Sequence, residues 1–392
     1  MIAIEEIAEV IRKHATQVVK PVVDEDSRRP AEVQEKENNV RLLVEPAKAL
    51  KRFEKASEVK PYFNLYALDS SSRALDTPYF FIAIATGTLV NRFTGKTIDC
   101  PPVSLLQGSL KDSCRFLSVI PNFESSVEFE DRFSNLLFTK NIIGEKYDHS
   151  YNKYVLLDET RLLVESHLLI QGMSKGLLDE SIILIDGPLI YPSFFESSIS
   201  GHTSRIDSYK ASIEAINEER VSVWKDLRKR RSRVVGIVKR LYRSYYLSAC
   251  DPLEIGVSNL NDEAYLSAVS RRFSIEEGLK PYLLGPLKIE SKVKEVKVER
   301  IAWYLGIPRR SFSSRTPLTN YTHYRVETVA DSVLDETVLS PVIYDSLSTG
   351  TILPISIMIA DYRARKLSSI ISHYLVYSMG LGEASVYQYL SI

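Results

Sequence analysis

Four carboxylates stand at the ends or on the faces of apolar segments: Asp69 after YFNLYAL, Glu165 in RLLVE, Asp186 after SIILI and Asp361 in LPISIMIAD. Carboxylates scattered along a chain acquire chemical meaning if the fold gathers them, because their hard oxygens suit Mg²⁺ or Mn²⁺. Two such cations about 3.5–4 Å apart stabilise both the attacking and the leaving oxygen when a phosphodiester is hydrolysed in line. Singly, each residue also has a plainer role. Asp-Ser-Ser and Asp-Gly-Pro are ordinary strand terminators. Glu165 can pair with Arg161, and Asp361 with Arg365, four residues away on a helix. Asp158, seven residues before Glu165 on the same helical face, is a reserve candidate.

A second group is basic. KDLRKRRSRVVGIVKRLYR (225–243) holds nine Lys or Arg against one Asp, followed closely by Tyr245 and Tyr246. Arg228, Lys229, Arg230, Arg231, Lys239 and Arg240 are the candidate contacts to a DNA backbone. Such contacts are sequence-independent and steeply salt-dependent, and tyrosines nearby can stack on unpaired bases. A solvated helix end is the alternative. Arg271-Arg272 and Arg309-Arg310 are further candidates. The six histidines show no HExxH spacing, and neither a GxxxxGK[ST] loop nor a GxSxG elbow occurs, which removes zincin, P-loop and serine-hydrolase chemistry.

The elements that must position these residues follow from periodicity. Ile4, Ile7, Ala8, Ile11 and Ala15 predict a first helix that stops before Pro21, and Val40–Lys55 can again be helical. YFNLYALD and PYFFIAIATGTL predict two antiparallel strands joined by a turn over 69–77. A third strand lies near 88–98 or at Phe116–Ile120. Leu156–Met173 is a helix, Ser181–Ile185 a strand buried on both faces, 206–231 a basic helix and Arg233–Lys239 a core strand. Residues 240–318 read as mostly helix and loop. Tyr321–Thr328 alternates as a strand, and Ile355–Met379 is a final amphipathic helix entered through Pro354. The order is strand with Asp69, strands, helix with Glu165, strand ending in Asp186, late helix with Asp361. That is the ribonuclease H-like plan, an α/β fold with a mixed sheet flanked by helices. The expected organisation is an N-terminal helical extension (1–58) and a ribonuclease H-like domain (59–392) carrying a largely helical insertion at about 240–318.

With 392 residues the chain can build a sizeable core, and its 50 basic and 50 acidic residues cancel, so any polyanion site is a local patch. Cys100, Cys114 and Cys250 form no CxxC pair and argue against a disulfide framework or a cysteine zinc site. No apolar run approaches the ~18 residues that span a bilayer. The expectation is a soluble cytoplasmic protein.

ALDSSSR (67–73), RLLVE (161–165), ILIDGPL (183–189), VVGIVKR (234–240), YRVE (324–327) and LPISIMIAD (353–361) together resemble the NurA nucleases of archaeal DNA-end processing. The resemblance implies a ribonuclease H-like fold, Mn²⁺-dependent (or Mg²⁺-dependent) cleavage of DNA with two ions, a 5′ to 3′ direction with single-strand endonuclease activity, a homodimer, and partnership with the HerA hexameric translocase. By that resemblance Asp69, Glu165 and Asp186 match metal-binding positions, and Lys239 matches a lysine that neutralises a phosphate near the metals. The family often shows Tyr-Pro and then a His on the last helix. Here those positions are Leu353-Pro354 and Asp361, and His373 lies twelve residues further on. The rival readings are a non-catalytic DNA-binding or adaptor subunit of the same complex, and another ribonuclease H-like nuclease acting on RNA or in recombination.

Overall fold

The computed structural model of the protein describes residues 4–6, 8–9, 39–52, 60–76, 80–104, 114–121, 134–148, 150–192, 203–256, 259–277, 280–308, 321–329, 338–347 and 353–378. Its strands are β1 (Val40–Leu42), β2 (Leu50–Arg52), β3 (Leu65–Asp76), β4 (Phe80–Asn91), β5 (Thr97–Cys100), β6 (Leu117–Pro121), β7 (Leu137–Phe138), β8 (Ile182–Asp186), β9 (Arg233–Val238), β10 (Tyr282–Val293), β11 (Val296–Pro308) and β12 (Tyr321–Val329). Its helices are α1 (Lys153–Ser174), α2 (Thr203–Lys229), α3 (Tyr246–Cys250), α4 (Asp262–Glu277), α5 (Leu339–Leu347) and α6 (Ile355–Ser378). All the strands join one mixed sheet in the order β1-β10-β11-β12-β9-β8-β3-β4-β6-β7, with β2 also on β10 and β5 also on β4. The architecture is therefore mixed α/β, a many-stranded sheet flanked by helices. At its centre β3, β8 and β9 run parallel, and β4 and β12 close on them antiparallel.

The central strands are apolar on both faces because both faces are covered. Gly87 on β4 faces α1: a Cβ there would lie 2.7 Å from a methyl of Leu168. The next residue, Thr86, points the other way and donates its hydroxyl to the Ala364 carbonyl of α6 at 2.8 Å. So α1 and α6 lie on opposite sides of the sheet. α1 starts where Asn152 accepts from the N–H groups of Tyr154 and Val155, a side-chain cap on otherwise unpaired donors. α6 lies close to β3 and β4 because Ser356, Ala360, Ala364, Ser368 and Ser372, spaced by four, are all fully buried and small. Its first turn is capped from α5: Asp345 accepts the Ser356 N–H at 2.8 Å and the Ser356 hydroxyl at 2.5 Å, and pairs with Arg92 at 2.9 Å.

Several expectations are corrected. Asp69 does not end its strand; β3 runs to Asp76 because Ser70–Asp76 pair residue by residue with β4, and that ladder overrides the turn preference of Asp-Ser-Ser. Val40–Lys55 is not helical over its described part: β1, a 3-10 turn at Pro46–Lys48 and β2 pack along β10. The 240–318 region is not largely helical. It supplies α3 and α4 and then the long β10–β11 hairpin, whose alternation of buried with half-buried or exposed residues over Lys288–Val293 is a strand period. Cys100 and Cys114, expected to stay apart, are joined as a disulfide with Cα atoms 5.7 Å apart, and Cys250 is free; the odd count leaves one cysteine over but does not forbid one pair. Of the first helix, Ile4 and Ala8 are buried in the main core and Glu5 accepts from the Tyr374 hydroxyl at 2.8 Å. Ile7, Ile11 and Ala15 lie outside the described residues. Among the described residues no helix is long and apolar enough to cross a membrane.

Candidate metal centre

β3 and β8 are parallel and in register through Leu68 and Ile185, so the next residue of each, Asp69 and Asp186, stands side by side at the same level. β8 stops there: Gly187 takes φ +125°, a conformation that L side chains rarely adopt, and its N–H donates to the Ile237 carbonyl at 3.0 Å. Asp69 faces the α6 side, since Thr88, its partner across the β3–β4 ladder, lies on the same face as Thr86. One turn and a half into α6, Asp361 completes the group. Carboxylate oxygens of Asp69, Asp186 and Asp361 lie within 4.8 Å of one another.

Crowding three carboxylates is unfavourable without a cation. Asp69, only 5% exposed, has its pKa pushed up to about 8 by burial first, then by the charges of Asp186 and Glu165; the Ser70 N–H, 2.7 Å from its carboxylate, and Lys239 oppose the shift. Two basic side chains take up part of the excess charge. Lys239 Nζ is 2.5 Å from Asp186, and the Arg365 guanidinium pairs with Asp361. A converging set of hard oxygens with this unmet demand for positive charge fits Mg²⁺ or Mn²⁺. A second basic residue of α6, Arg363, grips Asp99 of β5 through two bonds of 2.8 and 2.6 Å, and Thr88 donates to the same Asp99 at 2.7 Å. That tie fixes α6 two residues from Asp361.

Glu165 is not in this group. Adjacent residues of a strand face opposite ways, and Glu165 on α1 meets Ser70 rather than Asp69. Its Oε1 accepts from the Ser70 hydroxyl at 2.5 Å and from Arg161 at 3.2 Å, and its Oε2 from Arg220 at 2.8 Å. Asp158 pairs with Arg161 at 3.8 Å and is also outside the group. His373 is exposed and bonds within its own helix to the Ser369 carbonyl, about 18 Å along α6 from Asp361.

The basic candidates divide. Lys239 and Arg240 follow β9 at the end where Asp186 stands. Arg228, Lys229, Arg230 and Arg231 precede β9, so about 15–20 Å of strand separates them from that end. Lys229 pairs with Asp226 at 2.7 Å, Arg230 with Asp179 at 2.9 Å and Arg231 with Glu180 at 3.1 Å; Arg228 lines a cavity of about 350 Å³ with Trp224 and Lys225. Tyr246 is buried under Arg325, its ring centroid 4.7 Å from the guanidinium carbon, and so is not a base-stacking surface. Arg271-Arg272 falls in α4, and Arg309-Arg310 lies outside the described residues.

Sequence reading passed over Asp99, Arg220, Asp345 and Arg363, which carry no motif. Their hydrogen-bond partners lie 11 to 264 residues away, beyond any helical or strand spacing. Glu327 was visible only as the last letter of YRVE.

The family model of the NurA domain matches residues 63–365. The NurA nuclease from Sulfolobus solfataricus is similar over 96% of this chain and 95% of that one, at 13% identity and a TM-score of 0.41. A NurA with manganese covers 82% of this chain and 92% of its own at 9% identity and TM-score 0.36, and a NurA bound to dAMP and manganese covers 80% and 86% at 9% and 0.38. No curated protein matches the sequence. With the NurA domain model matched over 63–365, most of its length, the chain belongs to the NurA family of nucleases.

Proposed function

We propose that the protein is a Mn²⁺- or Mg²⁺-dependent deoxyribonuclease of DNA-end resection, acting 5′ to 3′ with single-strand endonuclease activity, as a cytoplasmic homodimer alongside a HerA-type translocase. The observation that carries the chemistry is the mutual 4.8 Å approach of Asp69, Asp186 and Asp361. The strand order β6-β4-β3-β8-β9, with carboxylates on the first and fourth of these in chain order and on the last helix, supports a ribonuclease H-like core within 59–392, to whose sheet β1 and β2 of the preceding residues add along β10.

Asp69, Asp186 and Asp361 would hold the cation through their carboxylate oxygens. Glu165, the fourth candidate, is held apart from them on the other face of β3 by Ser70, Arg161 and Arg220. Bound divalent cations, one or two, supply charge stabilisation to the attacking and leaving oxygens of the phosphodiester. Lys239, whose ammonium is 2.5 Å from Asp186, would hold a phosphate oxygen of the DNA beside the carboxylates. Arg240, exposed beside it, extends that contact along the backbone. Arg228, Lys229, Arg230 and Arg231 would form a second, distal track, weaker because three of them are already paired.

The test is incubation of the purified protein with end-labelled single-stranded DNA, with and without Mn²⁺, beside Asp186→Asn. Cleavage that needs Mn²⁺ and vanishes in the variant is expected. DNA bound but uncut under every metal condition would leave the adaptor reading, and RNA cut in preference to DNA would leave the third. Light scattering that gives a strict monomer over the micromolar range would remove the dimer.

A further inference from the structure

The residues that follow Asp186 are held from beneath by buried charges rather than by the sheet alone. β8 ends at Asp186, and beyond it the Gly187 N–H is tied to the sheet at the Ile237 carbonyl. Leu189 then donates its N–H to Glu327 Oε2 at 3.1 Å, and the Pro188 carbonyl accepts from Arg220 at 3.5 Å. Neither partner is a surface group: Glu327 is 0% and Arg220 3% exposed.

Each is fixed in turn. Glu327 is held by Arg325 at 2.7 Å and by Arg300 at 3.1 Å, both arginines also buried. Arg220 is held by Glu165, which binds Ser70, the neighbour of Asp69. The loop presses directly onto β9, because Gly236 stands opposite Glu327 in the ladder and a Cβ on it would lie 2.9 Å from the Gly187 oxygen and 3.2 Å from the Leu189 nitrogen. Desolvated charges are costly unless each finds good partners. Here they end on the main chain of the two residues that set where Asp186 begins its turn, and one of them connects back to β3 beside Asp69.

We propose that Arg220 and Glu327 are positioning residues for the metal centre: they clamp the Gly187–Leu189 segment onto β9 and so fix the spacing of Asp186 from Asp69. The inference rests on the metal-centre reading given above. Groups that orient metal ligands in this way typically contribute about 10-fold to 100-fold in metal affinity.

The test compares Mn²⁺ binding isotherms, measured without DNA, and melting temperatures in EDTA for the wild type, Asp186→Asn, Arg220→Lys, Glu327→Asp and Gly236→Ala. Arg220→Lys keeps the charge but cannot reach Glu165 and Pro188 together. Glu327→Asp keeps both arginines neutralised while withdrawing from Leu189. Gly236→Ala pushes the loop off β9 without touching a charge. The expected result is loss of Mn²⁺ binding in Asp186→Asn and weakening by about 10-fold to 100-fold in every one of the other three that melts cooperatively. Lower melting temperatures with isotherms that superimpose on wild type would reduce the clamp to a structural role and overturn the proposal. Wild-type binding by Asp186→Asn would instead overturn the metal centre itself, a distinguishable failure.

Discussion

A buried carboxylate whose pKa is raised to about 8 is mostly protonated at neutral pH until a cation displaces the proton. For Asp69 the ordinary value is 3.8, so in the metal-free protein its stabilising contribution is full below that value and is lost as pH rises through about 8. Asp69→Asn should therefore gain melting temperature over wild type in EDTA, with the difference widening between pH 4 and 8. Added Mn²⁺ should stabilise only the wild type, and more strongly as pH rises, because binding releases the proton. Melting curves across that range check both signs. By the resemblance read from the sequence, Asp361 stands where the family often carries a histidine. Asp361→Asn should raise the Mn²⁺ requirement, and Asp361→His should restore more activity but lose it as pH falls through about 6.5, where imidazole protonates. A metal titration of the Asn variant that overlays wild type would assign Asp361 to its Arg365 pair alone.

At the scale of elements, the centre depends on two helices gripping one sheet from opposite sides. α1 reaches β4 at Gly87, where an added Cβ would meet Leu168 and Val164 at 2.7 and 3.0 Å. Gly87→Val should destabilise by about 1–3 kcal/mol through overpacking, read as a lower denaturation midpoint at unchanged m-value. The same change lies directly across the ladder from Ser70, so it should also disturb the Ser70–Glu165 contact. On the other side, Asp345 of α5, which caps α6 at Ser356, and the Asp99–Arg363 tie about two turns further on set both the height and the rotation of the helix that carries Asp361. Both carboxylates, Asp345 and Asp99, lie outside the helix they position.

Across the whole molecule, the sheet separates two basic regions that the sequence runs together. Lys239 and Arg240 lie at the end of β9 nearest the carboxylates, and Arg228–Arg231 lie at the other end with Asp226, Asp179 and Glu180 already on three of them. Replacing Lys239 and Arg240 by Ala should lower the slope of log K against log salt by about 0.7–0.9 for each lost phosphate contact. The quadruple Ala variant of Arg228, Lys229, Arg230 and Arg231 should lower it by less per residue, since releasing a paired acid offsets each lost contact. DNA-binding titrations over a salt series decide it, and an equal slope change per residue would put the main DNA track at the distal end.

The sequence by itself determined the strongly periodic elements: the two apolar strands around Asp69, the buried strand ending in Asp-Gly-Pro, the RVVGIV strand and the long helix after Pro354. These are set by local alternation and by Gly and Pro, which act within a few residues. It also singled out four candidate carboxylates, because their order along the chain is a property of the sequence. Only the tertiary structure decided which of them meet. A period of two turns Ser70 to the face where Glu165 of α1 meets it and Asp69 to the other, and that assignment depends on which helix covers which face. The hairpin at 282–308 was illegible for a related reason, since its strands are stabilised by partners in β1, β2 and β12 that lie far off in sequence. The clamp on Leu189 is the extreme case: a buried glutamate, two arginines and a glycine drawn from three strands have no spacing to read, and they gain their role only when the chain closes around them.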